Sequence, residues 1–231
     1  IRDRHKTKEF LKSTISDISH QLKTPLAALM MYQEIIEAEP DNTDTVKEFS
    51  QKIGLALKRM EQLILSMLKI TRLDTGNILF DKRACSVQEL IKNAISELTT
   101  RATQEKKQLI VQGTPNQTVI CDMDWTSEAI GNLVKNALDH TEAGGIIRIT
   151  WESTPTMLRI LVSDNGSGIA PEDIHHIFKR FYRSKYSLNI PGIGLGLPLA
   201  KSIIEGQGGL ISVQSVLHEG TTFSVSFLTK S

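Results

Sequence analysis

At 231 residues and 40% hydrophobic content, the chain is long enough for one large domain or two modest ones with ordinary soluble cores. Its 27 Lys and Arg against 26 Asp and Glu leave a formal charge of +1, which excludes wholesale capture of nucleic acid or anionic lipid, so any polyanion must be held locally. No run reaches the about 18 apolar residues of a membrane-spanning helix, and the charged start IRDRHKTKEF is not a signal peptide. Cys85 and Cys121 lack metal-ligand spacing and read as two buried packing thiols of a reducing compartment, with neither zinc nor a disulfide expected.

The chain opens inside a helical pattern with no capping residue before Ile1, as expected of a piece of a longer protein. From Leu11 the apolar positions Leu11, Ile15, Ile18, Leu22, Pro25, Leu29, Tyr32 and Ile36 alternate spacings of four and three, a heptad seam. Pro40-Asp41-Asn42 breaks it, and a second seam runs Phe49, Ile53, Ala56, Met60, Leu63, Met67, Ile70 to an end near Gly76. The result is a helical hairpin. Each helix buries only a stripe, so the simplest cover for both seams is a homodimeric four-helix bundle; a monomeric hairpin docked on the second region is the alternative.

After a boundary at 76–85 the period changes. Residues 86–105 and 125–140 read as helices, and alternating runs around Ile147–Trp151, Leu158–Val162, Ile211–Val213 and Phe223–Phe227 read as strands. Turns at Ser153-Thr154-Pro155 and His218-Glu219-Gly220 favour an α/β two-layer sandwich, its antiparallel or mixed sheet covered on one face by helices.

Within SDISHQLKTPLAAL, His20 falls at the outermost position of the first heptad seam. An exposed helical histidine is by default a solvated surface residue, but its surroundings are unusual. Thr24 lies one turn on along the same face, and Pro25 removes the N–H that would bond the Gln21 carbonyl, at a cost of about 3 kcal/mol in a helix interior. We therefore expect the helix to flex beside an exposed nucleophile.

Two glycine clusters follow. Asp164-Asn165-Gly166-Ser167-Gly168 ends a strand, and Gly192-Ile193-Gly194-Leu195-Gly196 opens the apolar helix 197–204, with Pro198 tolerated in its first turn. The second cluster has the makings of a phosphate cradle at a helix N-terminus, although such glycines also occur in plain turns. In EAIGNLVKNALDHT, Glu128, Asn132, Lys135 and Asn136 form one polar stripe on an apolar helix: a solvent-facing stripe, or a set of hard oxygen ligands for Mg²⁺ and phosphate.

Together these segments resemble the cytoplasmic part of bacterial two-component sensor histidine kinases. SHQLKTPL is similar to the phosphoacceptor box, EAIGNLVKNALDHT to the asparagine box, DNGSGI and GIGLGL to the two glycine boxes, IFKRFYRS to the phenylalanine box and EGTTFSV to the last glycine motif. The resemblance implies a dimerisation and phosphoacceptor domain at 1–76 and an ATP-binding domain of the Bergerat type at 80–231. It implies His20 as the phosphoacceptor, with Gln21 and Thr24 beside it. Asp164 would read the adenine amino group. Asn132, Lys135, Asn136, Gly166, Gly168, Gly192, Gly194, Gly196, Leu197, Thr221 and Thr222 would bind ATP, and Glu128, Asn132 and Asn136 would hold Mg²⁺. A mobile lid is expected at 185–191, and Arg180 and Arg183 are read either as structural pairs or as phosphate contacts.

The implied partners are a second copy of the chain and the receiver domain of a response regulator, with no nucleic acid and no direct membrane contact. The implied location is the cytoplasmic portion of a membrane-anchored bacterial protein. Gln21 departs from the family pattern, which has Glu or Asp there: a neutral amide cannot act as a general base, though it can accept a hydrogen bond and fix the ring tautomer. Thr24 fits the family position that orients water in a phosphatase reaction. Two other readings are a different ATPase of the same superfamily, which needs no exposed histidine in a hairpin, and a dimeric scaffold that has lost its chemistry.

Overall fold

The computed structural model describes residues 2–76, 78–187, 190 and 192–229, with side chains from residue 16 onward apart from Asp17. It divides into two units, Ile1–Met67 and Leu68–Ser231.

The first unit is a helical hairpin. Helix α1 spans Arg2–Ala38 and runs through Pro25 without interruption, and α2 spans Thr43–Asp74, its residues from Leu68 onward belonging to the second unit. The turn is fastened by its own side chains: Asn42 Oδ1 accepts from the Thr45 N–H at 3.2 Å, and Glu39 Oε2 accepts from Asn42 Nδ2 and the Thr45 hydroxyl, both at 3.0 Å. Ile18, Leu22, Pro25, Leu29, Tyr32 and Ile36 are half-buried, as are Phe49, Ile53, Ala56 and Met60 opposite, and the Tyr32 and Phe49 rings meet at 5.5 Å. Off these seams the hairpin leaves large apolar side chains in solvent, including Met30 at 59% and Leu55 at 70% exposure.

In the second unit β1 (Arg83–Ser86) pairs antiparallel with β3 (Thr118–Cys121). Between them lie α3 (Val87–Ile95), α4 (Leu98–Gln104) and β2 (Gln108–Gly113). Then follow α5 (Met123–His140), β4 (Ile146–Ser153), β5 (Met157–Asp164), the short α6 (Pro171–Ile174), a 3₁₀ turn at Lys185–Ser187, α7 (Gly196–Gly206), β6 (Leu210–Val216) and β7 (Gly220–Leu228). The five-stranded sheet has order β2-β4-β5-β7-β6 and is mixed: β2 lies parallel to β4, and every other pair is antiparallel. Strict alternation along β4, β5 and β7 buries Ile147, Ile149, Leu158, Ile160, Val162, Phe223 and Val225 on one face, beneath α5 and α7.

One expectation is corrected. The single helix read over 86–105 is two, α3 and α4, separated at Ser96 and Glu97. The Ser96 hydroxyl donates to the Asn93 carbonyl at 3.0 Å, a local bond that competes with helix continuation. The structure also adds β1, β2 and β3, which the periodicity did not reveal.

Candidate functional site

Helix α5 carries the site because its two faces differ. Ala129, Ile130, Leu133, Val134, Ala137 and Leu138 are buried, which leaves Glu128, Asn132 and Asn136 half-exposed and Lys135 exposed along one stripe. Its start is fixed firmly. Asp122 caps the Trp125 N–H through Oδ1 at 3.2 Å and accepts from the Asp81 N–H through Oδ2 at 2.9 Å, while its own N–H donates to Gln207 Oε1 at 2.7 Å.

Asn132 Nδ2 donates to the Glu128 carbonyl at 3.0 Å, which turns Oδ1 towards the first residue of α7. There Gly196 leaves the needed space: a Cβ would stand 3.1 Å from Asn132 Oδ1. The second glycine cluster and the asparagine stripe are thus brought together at the N-terminus of α7, where Leu197 is half-buried and Pro198 occupies the first turn. Gly194 lies against Phe181, whose N–H donates to the Gly194 carbonyl at 2.9 Å, while Gly192 is exposed.

A second group gathers where β5 ends. Asp164 Oδ1 accepts from the Gly166 N–H at 2.9 Å and the Thr221 N–H at 3.3 Å. Burial raises the pKa of Asp164, against the opposing pull of those two bonds. Register places Thr221 opposite Asp164, and the Thr221 hydroxyl shares a 2.9 Å bond with Ser215 Oγ, which also accepts from the Ile169 N–H at 2.8 Å. Gly168 holds a left-handed φ of 65°, with the Val216 carbonyl only 2.0 Å from where a Cβ would be. The loop is tied to the end of α5 by the Ser167 N–H, which donates to the His140 carbonyl at 3.0 Å.

Not every expected residue joins these groups. Thr222 faces the other side of the sheet, where its hydroxyl donates to Ser163 Oγ at 3.0 Å. Glu128 accepts a 2.6 Å ion pair from Lys69. Arg180 pairs with Asp74, and Arg183 donates to the carbonyls of Ser187, at 2.8 Å, and Ile190. Both arginines therefore hold protein partners here, and Arg183 fastens the segment read as a lid. His20, Gln21 and Thr24 lie in the first unit, all exposed on α1.

Sequence reasoning missed Lys69, Asp74 and Asp173, which accepts from the Tyr182 hydroxyl at 2.5 Å. Hydrogen bonds from Ser184 and Tyr182 hold the Asp173 carboxyl below its ordinary range. The arrangement suits a magnesium nucleotide. A Cβ at Gly168 would meet the Val216 carbonyl and one at Gly196 would crowd Asn132, Asp164 is a half-buried acceptor, and the Asn132 and Asn136 carboxamides are hard oxygen donors, with the Glu128 carboxylate, paired here with Lys69, beside them.

Residues 121–231 match the family model of the histidine kinase-, DNA gyrase B-, and HSP90-like ATPase, and residues 11–76 match the His Kinase A (phospho-acceptor) domain. The chain is similar to the sensor-like histidine kinase SenX3 of Mycobacterium tuberculosis, at 28% identity over 92% of this chain and 52% of that protein. It is also similar to the sensor protein SrrB of Staphylococcus aureus, at 29% identity over 97% of this chain and 39% of that one. It thus spans about half the length of these relatives or less. Among solved structures, the histidine kinase ThkA in complex with the response regulator protein TrrA shares the fold, with a TM-score of 0.82, 21% identity, and coverage of 99% of this chain and 65% of that one. With a phosphoacceptor domain and this ATPase domain following each other in one chain, the protein belongs to the two-component sensor histidine kinases.

Proposed function

We propose that the chain uses ATP to phosphorylate His20 and passes the phosphoryl group to an Asp of a response regulator's receiver domain. The observation that carries this reading is that one helix joins both glycine clusters. Asn132 faces the Gly196 helix start, and the far end of α5 is tied to the loop of Asp164. The phosphoacceptor motif adds an exposed imidazole.

In this reading the half-buried Asp164 carboxylate accepts from the adenine amino group, while the backbone from Gly192 to Gly196 and the free N–H groups of α7 receive the phosphates. Asn132, Asn136 and Glu128 would hold Mg²⁺, which when bound offsets phosphate charge. The His20 imidazole attacks the γ-phosphorus in line and ADP departs. Gln21 orients the ring by hydrogen bonding, and Thr24 orients water for the reverse task, dephosphorylation of the regulator. Two hairpins pair through their exposed apolar side chains as a homodimer. No described helix is long and apolar enough to cross a membrane, and the reading places the chain on the cytoplasmic side, where ATP is.

The test is incubation with γ-³²P-ATP and Mg²⁺: acid-labile, base-stable label should appear on His20. A nucleotide-binding protein that takes up no label would instead be a different ATPase of the superfamily or a scaffold.

A further inference from the structure

The two thiols expected to be separate packing residues are neighbours. In the β1–β3 pair Arg83 lies opposite Cys121 and Cys85 opposite Val119, so the cysteines sit diagonally on one face. They are 4% and 0% exposed, and Cys85 Sγ donates to the Cys121 carbonyl at 3.4 Å. Diagonal neighbours stand about 7–8 Å apart on average, at the edge of disulfide reach, and strand twist shortens one of the two diagonals. The 3.4 Å contact of Cys85 Sγ with the Cys121 carbonyl brings the Cys85 sulfur up to the residue that carries the second thiol.

We propose that Cys85 and Cys121 are a disulfide-forming pair, a modification site that ties β1 to the residue preceding the cap of α5. Cys121 is followed by Asp122, which caps α5, so the bond would tether the start of the helix that carries Asn132 and Asn136. The oxidant is a small-molecule disulfide. Cys85 attacks it as thiolate, forming a mixed disulfide and releasing one small thiol; Cys121 then attacks the Cys85 sulfur and releases the second. Overall two protein thiols and one small disulfide become one protein disulfide and two small thiols, which carry away both protons.

Burial pushes the Cys121 thiol up to about 12, so its thiolate is scarce and closure is slow. Access requires the β1–β3 pair to open locally, which its two strands of only four residues each make the least costly route. Intracellular disulfides of this transient kind are usually redox-responsive.

The experiment treats the whole chain, reduced at the start, with graded ratios of oxidised to reduced glutathione at pH 8 and maps peptides by mass spectrometry without reduction. The expected result is one linked pair, the peptide of Cys85 with that of Cys121, with both free thiols lost together and recovered by dithiothreitol. Affinity for a fluorescent ATP analogue should shift at least threefold on oxidation, and not in Cys85→Ala treated alike. Stable glutathione adducts, links between chains, or thiols that stay free in the folded protein yet alkylate at once when unfolded would overturn the pair. A linked peptide with unaltered nucleotide affinity would overturn the tie to α5. The linked peptide does not depend on the kinase reading; only the affinity arm rests on it, and a chain that binds no nucleotide in either redox state refutes that reading alone.

Discussion

Because burial raises the pKa of Asp164, the folded protein holds this proton more tightly than the unfolded chain does. Between the unfolded and folded pKa values the native state binds more protons, so stability falls as pH rises through that window and stays lower above it. Asp164→Asn keeps an oxygen to accept from the Gly166 and Thr221 N–H groups and removes the ionisation. We expect the variant to melt at or above the wild-type temperature at pH 7 while its affinity for an ATP analogue falls at least tenfold. A melting series over pH 4–8 with a binding titration checks both halves. At Gln21 the prediction runs the other way. If proton removal limits His20, Gln21→Glu should phosphorylate about tenfold faster, within the range of a positioned general base. The gain should fade near pH ~4.3 if the new carboxylate is unperturbed. An unchanged single-turnover rate at neutral pH would shift the slow step to docking or lid closure.

At the scale of elements, the long motifs were legible and the short pairings were not. α5 could be read from its apolar face, and β4 to β7 from alternation, because one buried face imposes the period. β1 and β3 have four residues each and owe their existence to one another across the intervening α3, α4 and β2. In β2 the consecutive Leu109, Ile110 and Val111 do not alternate. The neighbouring threonines of the last glycine motif look equivalent as letters, and only register separates them: Thr221 opposite Asp164, Thr222 opposite Ser163. The glycines give the test for this scale. Gly196→Ala adds a Cβ 3.1 Å from Asn132 Oδ1, so melting should hardly change while nucleotide affinity drops several-fold. Gly168→Ala should lose ~1–2 kcal/mol from its left-handed backbone alone, and more from the Val216 carbonyl, visible as a lower melting temperature.

For the whole molecule, the kinase reading requires that the phosphoacceptor and the nucleotide site fail separately. His20→Gln should abolish acid-labile label while ATP-analogue affinity stays within about twofold and the dimer persists, because His20 belongs neither to the seam nor to the exposed apolar side chains that pair the hairpins. Labelling, titration and sedimentation on one preparation decide it, and loss of dimerisation would contradict the heptad assignment. The exposed His20 was legible because the seam dictates which residue faces out; the partner of Glu128 was not, since a lysine on a helix reads as solvated until the fold supplies a carboxylate.

The last turns of α2 belong to the second unit, and this decides where the chain can be dissected. Ile70 is 0% exposed, Lys69 holds Glu128 and Asp74 holds Arg180. A fragment begun where the motifs suggest, at residue 80, sheds all three side chains and uncovers the apolar surface beneath Ile70. One begun at Leu68 keeps them. The longer fragment should express in better yield, resist protease longer and melt several degrees higher, so work on isolated ATPase fragments of this chain would measure a protein missing part of its own core unless seven residues of helix are carried along.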